Sequence, residues 1–176
     1  LTRRGRIEYA LNGGMINTDF IDNSAGVDCS DHEVNIKILL NLATKSGRLS
    51  MDARNQLLES MTDEVSALVL RSNTLQTQAI SLMSSMTGDR LGSEAHFIAT
   101  LESQGVLDRK LEHLPDEDEF RDRVARGIGL TRPELSLLLS FSKITLYQDL
   151  LASDVPVDPY LSRELQAYFP SALQKD

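Results

Sequence analysis

Tryptophan is absent from this chain, and aromatic residues make up only 5% of its 176 positions. A core must therefore be packed from Leu, Ile, Val and Ala, for which the 41% hydrophobic content is sufficient. Positive charge is scarce as well: 18 Lys and Arg stand against 26 Asp and Glu, leaving a net charge of −8. That balance excludes a nucleic-acid partner, whose phosphates demand clustered cations. Arg3, Arg4 and Arg6 form the one basic cluster, too small to offset the acidic excess. A single cysteine, Cys29, cannot close an internal disulfide, which suits a reducing cytoplasm. It reads as buried and inert. No apolar run approaches the roughly 18 residues needed to cross a bilayer, and no secretory signal is visible, so no membrane partner is expected. His96 and His113 have no partner at ligand spacing, so no metal is expected. The chain opens on Leu1 rather than Met, the expectation being a piece of a longer protein.

What is present centres on residues 21–35, Ile-Asp-Asn-Ser-Ala-Gly-Val-Asp-Cys-Ser-Asp-His-Glu-Val-Asn. Ahead of it, Met15-Ile16 follows the Gly13-Gly14 break and reads as a short buried strand. Behind it, residues 34–43 are apolar enough to be a helix running into a core. Ser30 followed by Glu33 has the spacing of a capping box, in which hydroxyl and carboxylate each satisfy the other residue's amide. The segment thus reads strand, small-residue turn, capped helix. In an open α/β sheet such a turn holds ligands, because a helix N-terminus presents free N–H groups and a positive dipole end. One strand cannot satisfy its own backbone, so its neighbours are expected in an upstream portion outside this chain.

The rest of the pattern is helical. Residues 2–11 form a helix stopped at Asn12-Gly13-Gly14, and the helix after Ser30 ends near Lys45-Ser46-Gly47. Thr62, with Asp63 and Glu64 behind it, can cap a helix whose apolar stripe runs through Val65, Leu68, Val69, Leu75, Ala79, Leu82 and Met83. Thr87-Gly88 and Gly92 break the chain before a helix over 95–103. An acid-rich first turn at Glu117, Asp118 and Glu119 opens another. Thr131-x-x-Glu134 is a second capping box and starts the most apolar helix, which reads as central and surrounded. Asp158-Pro159 restarts a last helix to about Phe169. The expected fold is mainly α: a helical bundle with a short β-α remnant of a dinucleotide-binding domain at the N-terminus. The expected division places the end of the dinucleotide-binding, catalytic domain in 1–45 and a helical domain in 46–176.

Residues 23–33 resemble the Asn-Ala-Gly-Gly-Val-x-x-Ser-x-x-Glu segment of glutamate dehydrogenases, with Asn23, Gly26, Val27, Ser30 and Glu33 in register. The longer wording of 21–35, with Gly5-Arg6-Ile7-Glu8-Tyr9-Ala10 upstream, is similar to the very large bacterial NAD-specific members. The phrases Met61-Thr62-Asp63-Glu64-Val65, Gly129-Leu130-Thr131-Arg132-Pro133-Glu134-Leu135 and Asp158-Pro159-Tyr160-Leu161 resemble that family's C-terminal portion. The likeness therefore runs essentially end to end.

The resemblance implies NAD as cofactor, L-glutamate and 2-oxoglutarate as substrate and product, and the remainder of the enzyme's own chain and further copies in a homo-oligomer as partners. It implies that Asn23 contacts the nicotinamide end of NAD through its amide. Val27 would line the aliphatic part of the substrate, and Ser30 would donate a hydrogen bond to the side-chain carboxylate of glutamate. As a plain helix cap Ser30 would be worth about 1 kcal/mol. A bond to a charged group is worth about 1.5–3 kcal/mol. Asp28 and Asp31 add negative charge near this anion site, and His32 stands where the family is usually aromatic, which reads as packing. No Gly-x-Gly-x-x-Gly turn is present, and no lysine lies near the key turn to bind substrate or activate water. No catalytic residue is therefore assigned, and the isolated chain is expected to be inactive. The rival reading, from a different class, is a non-catalytic acidic helical interaction module.

Overall fold

The computed structural model describes residues 1–174, the side chains of residues 87–89 excepted. Among these residues the regular structure is entirely helical. In chain order it comprises α1 (Arg3–Leu11), α2 (Cys29–Lys45), α3 (Met51–Ser60), α4 (Thr62–Ser85), α5 (Thr87–Ser103), α6 (Glu117–Ala125), α7 (Arg132–Leu151) and α8 (Ser162–Tyr168). A wide π-helical turn, Ser24–Asp28, runs directly into α2. The mainly-α expectation holds, and the β-α remnant does not. Residues 12–18 carry no strand, and Met15 is 81% exposed. The physical reason is visible in the loop itself. With no strand beside it, its polar groups turn to arginines: Arg6 donates to the Asn17 carbonyl at 2.8 Å, and Arg132 donates to Asn17 Oδ1 at 3.0 Å. Its apolar anchor is Ile21, wholly buried, rather than Met15 or Ile16.

Helix boundaries follow local chemistry. The side chains of Thr2, Ser50 and Asp116 accept from the amides of Gly5, Ala53 and Glu119, capping α1, α3 and α6. Gly13 (φ 87°) and Gly47 (φ 73°) take the left-handed conformation that ends α1 and α2. Gly92 breaks nothing and lies inside α5. Thr62 does not cap: its hydroxyl donates backwards to the Glu59 carbonyl at 3.1 Å. On α4 the inward positions are Val69, Asn73 and Ile80, while Leu75 and Leu82 are more than half exposed.

The chain divides into two compact units, one of Leu1–Asp22 with Gln76–Thr145, the other of Asn23–Leu75 with residues from Leu146 onward. The first is built around Ile80, Ile98, Leu101, Leu135 and Leu138, joined by Ile21, Leu91, Leu107, Leu114 and Phe120. Only the first two turns of α7 are enclosed there: Pro133 to Leu138 are all buried, whereas Ile144 is half exposed. The second capping box forms, with the Thr131 amide donating to Glu134 Oε2 at 2.6 Å and the Thr131 hydroxyl at 2.7 Å. The same oxygen receives Arg123 Nη1 at 2.9 Å, and Glu119 holds the other end of that guanidinium at 2.6 Å. Burial works to lower the Arg123 pKa, but the bonds and charge of Glu134 and Glu119 outweigh it and hold it above its ordinary value.

Glu94 lies in the same unit without such help. It is 6% exposed, and its Oε1 faces no donor among the described residues. Burial raises its pKa, with Arg90 opposing and Glu134 reinforcing the rise. A folded-state carboxyl with a raised pKa binds its proton more tightly than the unfolded chain does. Stability is therefore fully kept below the ordinary glutamate pKa and falls as pH rises through the folded value. Glu94→Gln should accordingly be more stable than the parent chain at neutral pH, with the gap shrinking as pH falls toward 4.5. Urea denaturation of both chains across that range measures this. A gap independent of pH would contradict it.

Candidate functional site

The second unit contains every residue singled out from the family-like segment. Asn23, with φ −88° and ψ 81°, stands just outside the helical run, and its Oδ1 accepts the Gly26 amide at 2.8 Å. Its carbonyl takes the amides of both Val27 (3.3 Å) and Asp28 (3.1 Å), and the Cys29 amide reaches the Ser24 carbonyl. This i to i−5 pattern widens the turn, a form often retained at functional sites. A Cβ at position 26 would stand 2.8 Å from Asn23 Oδ1, so a larger residue there would make the asparagine side chain shift. Asn73 donates to the Ser24 hydroxyl and ties the turn to α4.

The turn and α2 form one helical run, and this relocates Ser30. It lies inside the helix rather than at its start, and its hydroxyl donates to the Val27 carbonyl at 2.8 Å. The expected Ser30–Glu33 capping box is absent: α2 has no side-chain cap, and Glu33 pairs with Lys37. Asn23 caps first, so the positive dipole end belongs to residues 24–26 instead, with the Gly26 amide held by Asn23. Asn23, Val27 and Ser30 occupy positions i, i+4 and i+7 of this run, which places them on one face. Asn23 is half-buried, while Val27 and Ser30 are exposed. Cys29, expected to be buried, is exposed.

Behind that face lies a clasp that sequence reasoning missed. His32 is buried and stacks on Tyr168, ring centres 4.7 Å apart and planes 14° from parallel. Its reading as a packing residue is thus correct. Tyr168 donates its hydroxyl to Asp31 Oδ2 at 3.1 Å and accepts from Asn35 Nδ2 at 3.0 Å. Burial raises the Tyr168 pKa, Asn35 opposes and Asp31 adds to the rise, so the phenol keeps the proton it donates. This bond engages the Asp31 charge away from Ser30. Further along, the Ser171 amide and hydroxyl both donate to Glu64, at 2.8 and 2.9 Å. Phe169 and Leu173 pack with Ile36, Leu40 and Met61. The only advance signal was one polar residue, Asn73, on an otherwise apolar helix face. The Tyr168 contacts span more than 130 residues and leave no local trace.

The chain matches two family descriptions, "Bacterial NAD-glutamate dehydrogenase, catalytic domain" over residues 1–83 and "Glutamate dehydrogenase, C-terminal" over residues 127–176. It is 51% identical over 173 residues to the NAD-specific glutamate dehydrogenases of Pseudomonas aeruginosa and Halomonas elongata, covering 98% of this chain and 11% of each relative. It is 45% identical over 175 residues to that of Mycobacterium tuberculosis, again 11% of the relative. The class these matches define is that of the glutamate dehydrogenases, to one portion of which this chain is similar. The chain belongs to the family of bacterial NAD-specific glutamate dehydrogenases and spans about a ninth of the length of these relatives.

The cap gives a direct test of the local geometry. Gly26→Ala should push the Asn23 amide off its hydrogen bond and cost about 1 kcal/mol, the worth of an N-cap. In an Asn23→Ala background the same change should cost much less, since no cap remains to be displaced. Thermal unfolding of the four chains measures this coupling, and additive costs would contradict it.

Proposed function

We propose that this chain is part of an NAD-dependent glutamate dehydrogenase that oxidises L-glutamate to 2-oxoglutarate and ammonia through an imine hydrolysed by water. In this reading residues 1–45 supply one wall of the cleft, and residues 46–176 form a helical domain. What supports it most is register: Asn23, Val27 and Ser30 share one face of a capped helical run, in the order the family motif requires. The residues present also fit the cofactor. Ala25 and Gly26, both exposed and small, let a flat ring approach the turn closely. The Asn23 oxygen is occupied by its cap, so the amide N–H groups are what it offers to the nicotinamide end. NAD, when bound, supplies the acceptor for the hydride.

Val27 offers an apolar surface to the methylenes of the substrate. Ser30 must turn its hydroxyl from the Val27 carbonyl to the substrate carboxylate. A bond between neutral groups, worth about 0.5–1.5 kcal/mol, is then exchanged for one to a charged group, worth about 1.5–3 kcal/mol. The net gain is on the order of 1 kcal/mol, roughly five- to tenfold in affinity.

In the intact enzyme, Ser30→Ala should therefore raise KM for glutamate roughly five- to tenfold and leave KM for NAD within about twofold. Because Ser30 is not a cap, Tm should stay nearly constant. Equal changes in both KM values would overturn the substrate role. The 176-residue chain alone should produce no NADH from glutamate and NAD, since it holds neither the dinucleotide fingerprint nor a lysine near the turn. Glutamate-dependent absorbance at 340 nm from this chain would refute that division of labour.

A further inference from the structure

A second candidate site lies in the other unit and shares no residue with the one above. Helix α5 and the end of α4 face α7 across a cavity of about 310 Å3 with apolar walls that include Phe97 and Leu138. Glu94 lines it, 6% exposed, with Oε1 buried and unbonded. A buried carboxylate oxygen without a donor is costly. Two hydroxyls line the same cavity. Ser93 donates its proton to the Arg90 carbonyl at 2.7 Å, and Ser142 donates to the Leu139 carbonyl at 2.8 Å. Both protons are committed to backbone, so each hydroxyl offers the cavity only lone pairs.

The polar inventory is therefore one anionic acceptor and two neutral acceptors, with Arg90, exposed, as the sole cation on the lining among the described residues. A neutral apolar ligand would leave Glu94 unsatisfied, and an anion would be repelled by it. A primary ammonium carries three N–H donors and one positive charge, which matches three acceptors and one negative charge. The walls require an apolar body behind that head, and the volume sits at the lower end of small-molecule pockets. We propose that this cavity binds a small primary ammonium compound with an apolar body, its head held by Glu94, Ser93 and Ser142. Two sources share that chemistry, a simple alkylamine and an amino acid whose carboxylate would meet Arg90.

The test uses methyl resonances of Leu138 in the 176-residue chain, titrated with n-butylammonium and with n-butanol. The butylammonium ion should shift these resonances saturably, in the millimolar range expected of so small a ligand. Butanol, of the same size without charge, should bind at least about tenfold more weakly. Glu94→Gln should weaken butylammonium about tenfold while the chain stays folded. Should that variant not fold, the comparison of butylammonium with butanol in the parent chain decides alone. Norvaline binding more tightly than butylammonium, with the advantage lost in Arg90→Gln, assigns the site to an amino acid. Norvaline binding more weakly assigns it to a simple amine. No saturable shift with either compound, equal affinity for butanol, or unchanged affinity in a folded Glu94→Gln chain would each overturn the proposal.

Discussion

The hydrogen bond from the Gly26 amide to the Asn23 side chain, 2.8 Å long, decides how the candidate site is presented. A helix must begin somewhere, and its first amides lack intrahelical partners. By satisfying one of them at Gly26, Asn23 starts the run at Ser24 and draws Val27 and Ser30 into a single continuous helix. That register puts the three residues on one face. A Cβ at position 26 would stand 2.8 Å from the Asn23 side-chain oxygen, so glycine lets the asparagine sit as close as it does. A motif that looks like a binding signature is thus first a folding signature, and the spacing of its asparagine and glycine has a local steric reason.

Rigidity behind that face comes from distant parts of the chain. Tyr168 joins Asp31, His32 and Asn35 through a donor, a stacked ring and an acceptor, and Ser171 grips Glu64 with two bonds. Long side chains on an exposed helix lose little by moving, whereas a half-buried ring held on three sides is confined to one arrangement. The C-terminal residues therefore order the second and third turns of the helix that carries Ser30. Such support is what a hydroxyl needs if it is to exchange a backbone carbonyl for a carboxylate without the helix shifting.

The two buried glutamates of the first unit each leave Oε1 without a donor among the described residues, and they differ in what the other oxygen does for Glu134. Glu134 gathers Arg123, the Thr131 amide and the Thr131 hydroxyl on one oxygen. That network fixes the start of α7 and holds α6 to it. Glu94, similarly buried, has Arg90 near enough to oppose its shift but no donor on Oε1 among the described residues. The contrast is between a charge used for architecture and a charge the architecture tolerates.

By itself the sequence determined the helical class, most helix boundaries, the Thr131–Glu134 box, the leucine-based core and the family, because caps, glycine stops and 3.6-residue spacing act over one or two turns. Tertiary structure alone decided the rest. Met15-Ile16 became a loop with Met15 exposed, held by arginines rather than by a neighbouring strand: Arg6 at the Asn17 carbonyl and Arg132 at the Asn17 side chain. Ser30 moved from helix start to helix interior because another residue capped first, and Leu75 and Leu82 face outward while Asn73 is buried. For the loop and the α4 face several local choices were of similar energy, and partners far away in the chain selected among them. At Ser30 the choice fell to a competing cap only seven residues upstream.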